Sequence, residues 1–460
     1  MARREHLPRW LARPHLRRER GLIFILTVAI MVVLTGLALI FTRQARVELL
    51  ASDNIMSTSQ ADATVKGAAR HVLNRLVNNQ DRTTLDQEVQ SQNITLGDGV
   101  YWIMRPNPDD EKQYAYGVID EASKLNINTA TLDMLLKLPG MTPELAASII
   151  DWRDADDTPT EGGGGESSYY LTLPDPYYCK NGPFETLDEL LLVKGATRDV
   201  LFGIDLNRNG VVDATEAAGT ENALNGFNGQ AQCGVCKYLT LYSAEANTTQ
   251  NGQPRTFVGD TRPQTLFAIQ ALLRRSLSAA RATAVVEKLR TLPPAANVLD
   301  FYRISGLTSD EFKKVSDLIT TDRGRVVRGK INVNTAPKEV LACLPGLEQA
   351  DVDQLITART GTGTDLTNLA WVAAALAPDK AAKIGGQITT RSYQFSADIV
   401  GVSTNGRGFK RCYYVFDLRL SPARILFRKD LTYLGWPLNP ALKGIPQGVP
   451  PTSSLGTGGM

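Results

Sequence analysis

The stretch "RRERGLIFILTVAIMVVLTGLALIF" (Arg17–Phe41) decides how the rest of the chain is read. Its last 20 residues, Leu22 to Phe41, contain no charge and no Pro, Asn or Gln. At 1.5 Å per residue such a helix is about 30 Å long, the thickness of a bilayer core. Residues 1–21 hold seven Arg against two Glu, a balance of +5. A cluster of arginines ahead of an apolar span holds its end in the cytoplasm, which places the remainder outside. The whole chain carries +2, so everything after residue 21 sums to −3. The apolar run is too long for a secretory h-region and has no A-x-A site at its far end. It predicts a single-pass anchor.

Downstream, no Pro or Gly interrupts the chain until Gly67, and Val47, Leu50, Val65, Ala68, Val72, Leu73 and Leu76 recur at helical spacing. The membrane helix is therefore expected to emerge as an amphipathic stalk, giving a transmembrane and stalk helix over residues 22–79. "GVYWIM" (Gly99–Met104) and "YAYGVI" (Tyr114–Ile119) read as strands within 80–119. Strands return at "SYQFSADIVGV" (Ser392–Val402), "CYYVFDLRL" (Cys412–Leu420) and "ARILFRKDLTYLG" (Ala423–Gly435), the first two joined through Asn405-Gly406. Residues 389–443 thus complete a sheet begun before residue 120. The span 120–388, where helical patterns alternate with Gly, Pro and Asp loops, lies inside it as an inserted α domain. Its "EGGGGESS" (Glu161–Ser168) reads as a flexible loop, and the tail 444–460 as disordered. The fold class is α+β: a long N-terminal transmembrane and stalk helix, a small antiparallel sheet and a large helical insertion.

The insertion repeats itself. "KLNINTATLDMLLKLPG" (Lys124–Gly140) returns as "KINVNTAPKEVLACLPG" (Lys330–Gly346), each followed by a second helical pattern. The first copy extends over 124–200 and the second over 297–388. Thr129 and Thr335 are N-cap candidates for helices through Leu132–Leu138 and Val340–Leu344, with Gly140 and Gly346 ending them at positive φ. These segments resemble helix-hairpin-helix units, which hold a nucleic-acid phosphate on a φ-Gly-φ-Gly hairpin, φ being apolar. Here the hairpins read "PGMT", "KGAT" and "PGLE", without the second Gly. Residues 120–220 also carry 18 acidic against 7 basic side chains, which would repel a duplex. Residues 255–395 are nearer +6, so a membrane-anchored DNA-uptake receptor stays as the alternative. Scaffolding without nucleic acid is the preferred reading.

"DLNRNGVVDATE" (Asp205–Glu216) has the spacing of an EF-hand-type calcium loop. Asp205, Asn207, Asn209, the Val211 carbonyl, Asp213 and Glu216 stand at positions 1, 3, 5, 7, 9 and 12, with Gly210 at the bend. A second cation candidate lies in "DWRDADD", at Asp154, Asp156 and Asp157. The three histidines are His6, His15 and His71, none in the exported body beyond the stalk, which excludes Ser-His-Asp and Cys-His catalysis there. No enzyme is expected. The cysteines Cys179, Cys233, Cys236, Cys343 and Cys412 would face an oxidising compartment. They read as disulfide candidates with one thiol left over; a zinc site at Cys233–Cys236 would need distant ligands.

A basic leader ending in Gly21, followed at once by an apolar helix, a stalk and a small sheet, resembles the type IV pilin-like proteins. Within them "IDEASKLNINTA", "IIDWRDADD", "GPFETLDELLLVKG", "KINVNTAPKEVL" and "ITTRSYQF" resemble the class K minor pseudopilins of type II secretion (general secretion pathway protein K). The resemblance implies cutting between Gly21 and Leu22 by a prepilin peptidase, with methylation of the new terminus. It makes Leu26 the fifth mature residue, where most pilins have Glu. It implies an inner-membrane subunit with its body in the periplasm, at the tip of a pseudopilus. Its partners would be the class I and J minor pseudopilins and other pseudopilins, with Ca²⁺ bound in the α domain.

Overall fold

The computed structural model describes residues 16–79, 89, 91–107, 110, 112–213, 216 and 233–444; for 16–20 it gives the helical backbone alone. Most of the leader, residues 1–15, and the tail 445–460 predicted to be disordered lie outside the described residues.

Helix α1 runs unbroken from Leu16 to Asn78, 63 residues, or about 95 Å at the α-helical rise. Its apolar half is exposed over Leu22–Phe41, as a membrane-embedded segment without its lipid must be. Farther along, one stripe turns inward: Ala61, Val65, Ala68, Ala69, Val72 and Leu76 are all buried. The spacing is that of a single helical face.

That stripe packs on an antiparallel sheet of five main strands in spatial order β1 (Ile94–Leu96), β2 (Gly99–Arg105), β3 (Gln394–Val402), β4 (Phe409–Asp417) and β5 (Arg424–Asp430). Tyr101, Ile103, Phe395, Ala397, Ile399, Cys412, Tyr414 and Phe416 meet the helix. The alternate residues Val100, Trp102, Met104, Val400 and Val402 face the other way, under Leu438 and Trp436 of the C-terminal segment. Both faces are thereby covered, which is why all nine residues of β3 are buried. The segment read as one strand over Tyr114–Ile119 is two short ones, Ala115–Tyr116 on β2 and Ile119–Asp120 on β3, with Gly117 between them at φ 144°.

The helix sits close to the sheet because glycines leave room. A Cβ at Gly408 would stand 2.4 Å from the Ser57 carbonyl carbon and oxygen, and one at Gly401 would stand 2.8 Å from Val65. We expect Gly408→Ala to cost roughly 1–3 kcal/mol by forcing α1 off the hairpin. Denaturant titration of the full chain in micelles checks this; an unchanged midpoint would contradict the packing.

The chain leaves the sheet after Asp120, paired with Phe395, and returns at Gln394. Between these points each copy of the repeat is built alike. Leu125–Asn126 runs parallel to Leu239–Thr240, and Ile331–Asn332 parallel to Ile388–Thr389. Helices α2 (Leu132–Leu136) and α3 (Pro143–Arg153) form the first hairpin, α4 (Lys338–Ala342) and α5 (Gln349–Thr360) the second. Gly140 and Gly346 turn between them at φ 78° and 73°. Arg153 donates to the Ile127 and Ala130 carbonyls, and Arg359 to those of Val333 and Ala336. Thr129 and Thr335 are not the N-caps expected. The Asn126 and Asn332 side chains accept the N–H two residues on, forming a turn that delays each helix. Thr131 caps α2 instead, and Thr335 bonds Asp120.

The duplication reaches further than the hairpins. "LTLYS" (Leu239–Ser243) and "ITTRS" (Ile388–Ser392) supply the parallel partner strands, and Ser243 and Ser392 accept from the Asn126 and Asn332 amides at 2.9 Å. After Ser243 the chain pairs with Val326–Arg328, the entry to copy two. After Ser392 it pairs with Ile119–Asp120, the entry to copy one. The copies thus hand strands to each other and share one hydrophobic core.

Candidate metal centre

The loop beginning at Asp205 follows Gly203 at the end of a short helix, Arg198–Phe202. Arg208 and Gly210 take φ 55° and 80°, turning the chain left-handed at the fourth and sixth loop positions. Asp205 Oδ1 accepts the Asn209 N–H (3.1 Å), and its Oδ2 the Gly210 N–H (2.8 Å). Glu216 folds back: Oε1 accepts from the Leu206 and Asn207 N–H groups, Oε2 from that of Asp213. Asp205, Asn207, Asn209, Asp213 and Glu216 are therefore tied together by their own hydrogen bonds, with the Asp205 and Glu216 carboxylates at the two ends. Asp205 and Glu216 are 4% and 7% exposed. Burial, with the Glu216 charge adding, pushes Asp205 up to about 7, and burial raises Glu216. A bound dication would hold both ionised.

The loop is docked on the sheet. Arg411 of β4, fully buried, donates to the Asn207 carbonyl (2.6 Å) and the Arg208 carbonyl (2.8 Å). Its guanidinium is held by Asp398 of β3. These two residues were not legible in the sequence, because they lie far from the loop along the chain.

A second acidic site forms where α3 ends. Asp154, Asp156 and Glu166 bring one carboxylate oxygen each within 4.8 Å of the others. Asp157, expected in this group, instead accepts from Asn181 Nδ2 at 3.1 Å, because the turn after Asp156 points it outward. Glu166 takes its place, with Asp151 beside it. Asp151 is 0% and Glu166 1% exposed. Asp151 Oδ1 accepts the Thr160 N–H, but its Oδ2, the Asp154 Oδ1 and both Glu166 oxygens have no hydrogen-bond partner. Burial, then the charges of Asp151 and Asp154, push Glu166 up to about 7. Orphaned buried carboxylate oxygens are costly, and a hard cation taking six or more oxygens would satisfy them. The "EGGGGESS" segment is more than a flexible loop: a Cβ at Gly164 would stand 2.1 Å from Asp151 Oδ2, so only glycine lets the backbone wrap the site.

The duplication provides an internal comparison. Positions 151, 154 and 156 correspond in the second copy to Thr357, Thr360 and Thr362. The hairpin folds equally well without carboxylates, so the acids of copy one are not a requirement of its fold. Glu166 was missed in the sequence because it follows the glycines rather than the Asp cluster.

The expected disulfides are absent: all five cysteines are thiols. Cys179, Cys343 and Cys412 lie in separate parts of the fold. Cys179 Sγ lies 3.6 Å from the Asp151 carbonyl, Cys343 bonds Glu339 within α4, and Cys412 faces Arg428 within the sheet. Cys233 and Cys236 bracket Gly234 at the start of a 3₁₀ turn, Val235–Tyr238. Gly21, Leu22 and Leu26 lie in the exposed, uninterrupted part of α1.

Residues 108–202, containing the first hairpin and the Asp151–Glu166 cluster, match a family model described as type II secretion system (T2SS), protein K. Residues 331–391, containing the second hairpin and its closing strand, match another model with the same description. Two separate stretches of the chain are thus similar to type II secretion system protein K. The matches fall on a secretion family and not on a DNA-uptake receptor. The Asp205–Glu216 loop lies outside both matched stretches. Among solved structures, the chain is similar to one in the GspK-GspI-GspJ complex from the enterotoxigenic Escherichia coli type 2 secretion system. That similarity has 12% identity, covers 84% of this chain and 99% of the other chain, and has a TM-score of 0.33. No curated protein matches it.

Proposed function

We propose that this chain is a non-enzymatic minor pseudopilin that caps the tip of the type II secretion pseudopilus during export across the outer membrane. It is anchored by Leu22–Phe41 in the inner membrane, with its body in the periplasm. The observation that carries this is the division of α1. Between the membrane segment and the sheet, Val47, Leu49, Leu50, Ile55 and Met56 remain exposed, while from Ser57 onward one face of the helix is buried on the sheet. Apolar side chains left bare round a helix just above a membrane suit neighbouring stalk helices. The hairpin after β3 contacts α1 at Ser57 and Gln60, so the other end of β3, where the insertion leaves, points away from the membrane. A bulky unit there would obstruct a further subunit above it. The absence of Glu at Leu26 supports the same end position, since an unpaired neighbouring amine is costly in lipid.

The partners that follow are the class I and J minor pseudopilins, joined along α1. Calcium is proposed for the Asp205–Glu216 loop and for the Asp151–Glu166 cluster, whose oxygen-only donors suit a hard cation. Co-purification of the full chain with the class I and J proteins from the same bacterium should yield a ternary complex. Leu50→Asp with Ile55→Glu should abolish it. Failure of the unaltered chain to retain either partner would sink the proposal.

A further inference from the structure

The two copies of the repeat differ in what they leave bare. Asn128 Nδ2 donates to the Phe184 carbonyl at 3.0 Å and Asn334 Nδ2 to that of Leu366 at 2.9 Å, which sets Phe184 and Leu366 at equivalent places. Six positions further on, Leu190 and Val372 are both fully buried, so the register holds. The next two residues are Leu191 and Leu192 in the first copy, but Ala373 and Ala374 in the second. Both leucines are nearly half exposed, at 47% and 48%. The first copy also takes 30 positions from Asp154 to Phe184, where the second takes six from Thr360 to Leu366. Within that longer stretch Leu171 and Tyr178 are 45% and 73% exposed. The Tyr177 hydroxyl donates to the Leu192 carbonyl at 2.6 Å, and the Lys194 N–H donates to the Tyr170 hydroxyl at 3.1 Å. The two tyrosine rings stack at 5.2 Å, so the extra stretch is drawn against the leucines. Single apolar side chains on a surface are ordinary. Four large ones gathered where the duplicated fold does not need them make a docking surface.

We propose that this patch docks a basic segment of another protein, one that carries leucine-like side chains among lysines or arginines. The rim selects the charge. Residues 169–192 hold Asp175, Glu185, Asp188 and Glu189 against Lys180. Lys180 binds Glu189 at 2.7 Å and Lys429 binds Asp188, which leaves two carboxylates facing solvent. The Glu185 side chain is 81% exposed, and Asp175 is exposed between Pro174 and Pro176. The tyrosines add a second attraction for cations. Lys194 Nζ already stands over the Tyr169 ring at 4.8 Å, and Tyr178 offers a bare ring. An apolar centre inside a charged rim is the ordinary anatomy of a protein interface. The same charges disfavour other occupants. A second copy would bring an identical acidic rim face to face with this one across a two-fold axis. An anionic lipid surface attracts basic segments and would repel this one. The patch lies on the insertion rather than on α1, and its use requires neither the stalk partners nor a cation.

The test uses the full chain in nanodiscs of phosphatidylcholine, a lipid without net charge, with empty nanodiscs as the blank. The probe is a short fluorescein-labelled peptide of Leu and Lys spaced by Ser, followed by anisotropy, and its counterpart has Glu for each Lys. The Lys peptide should bind about tenfold more tightly than the Glu peptide, and the difference should shrink at high salt. Leu191→Ala with Leu192→Ala gives the first copy the residues with which the second copy folds. Its melting temperature should therefore stay unchanged, while its affinity for the Lys peptide falls about tenfold. Asp175→Lys with Glu185→Lys should reverse the preference between the two peptides. No binding of the Lys peptide, equal binding of both peptides, or full binding by the chain with Leu191→Ala and Leu192→Ala would overturn the proposal. So would a dimer in sedimentation that the same two substitutions dissolve, because the patch would then take a second copy. The ternary complex formed along α1 is read separately, so failure here leaves the stalk reading as it stands.

Discussion

Chelating calcium should lower the melting temperature of the full chain at pH 8 and lower it much less at pH 5. The reason lies in two carboxyls. Asp205 and Glu166 are each pushed up to about 7 in the folded chain, chiefly by burial, against ordinary values near 4. A folded-state pKa above the unfolded one means that the group favours folding while it is protonated. That contribution is complete below about pH 4 and is lost as the pH rises through about 7. Without a cation, the chain at pH 8 therefore carries buried, mutually repelling carboxylates. With one, the same carboxylates become ligands. A site held hundredfold above its Kd adds about 2.7 kcal/mol. Two substitutions separate the sites. Asp205→Ala should remove the loop's share of the calcium response. Glu166→Gln should make the chelated chain more stable than the unaltered one at pH 8, because an amide does not ionise, while shrinking the response to calcium. Differential scanning fluorimetry with and without EDTA reads all of these, and no loss of melting temperature at pH 8 would count against both sites.

The second large effect is on processing. Co-expressed with the prepilin peptidase, the chain should lose residues 1–21 and begin at Leu22. Gly21→Val should keep its leader entirely. Nothing lies within 4 Å of a Cβ built on Gly21, so the substitution leaves the fold undisturbed and the loss must occur at the peptidase. N-terminal sequencing settles the cut, and a mature chain starting anywhere but Leu22 would refute the pilin-like assignment of the leader.

How much of this was legible beforehand differs by element. The stalk was read to about Asn79, and α1 ends at Asn78, because a helix with one buried face writes its period into neighbouring residues. The strands β3 and β4 and their Asn405-Gly406 hairpin were read for the same reason, at period 2. The N-caps were misplaced by two residues because Asn126 and Asn332 form side-chain turns that compete with helix initiation. "LTLYS" and "ITTRS" were not read as partner strands, since strands of two residues have no period to detect.

The site divides in the same way. The Asp205–Glu216 loop is continuous in sequence, so its ligand spacing could be counted directly. The Asp151–Glu166 cluster was half visible, because Glu166 is brought back by a turn whose path depends on Gly164 passing Asp151. Arg411, Asp398 and Pro437 were invisible, since only the packing of the insertion on the sheet sets them against the loop. Sequence alone determined the membrane span, the stalk, the duplicated hairpin and the loop's donor order, because each is a local periodicity or spacing. Tertiary structure alone decided which acids meet without partners and which residues connect the loop to the sheet. Those depend on burial and on contacts between parts of the chain more than 200 residues apart, about which local spacing carries no information.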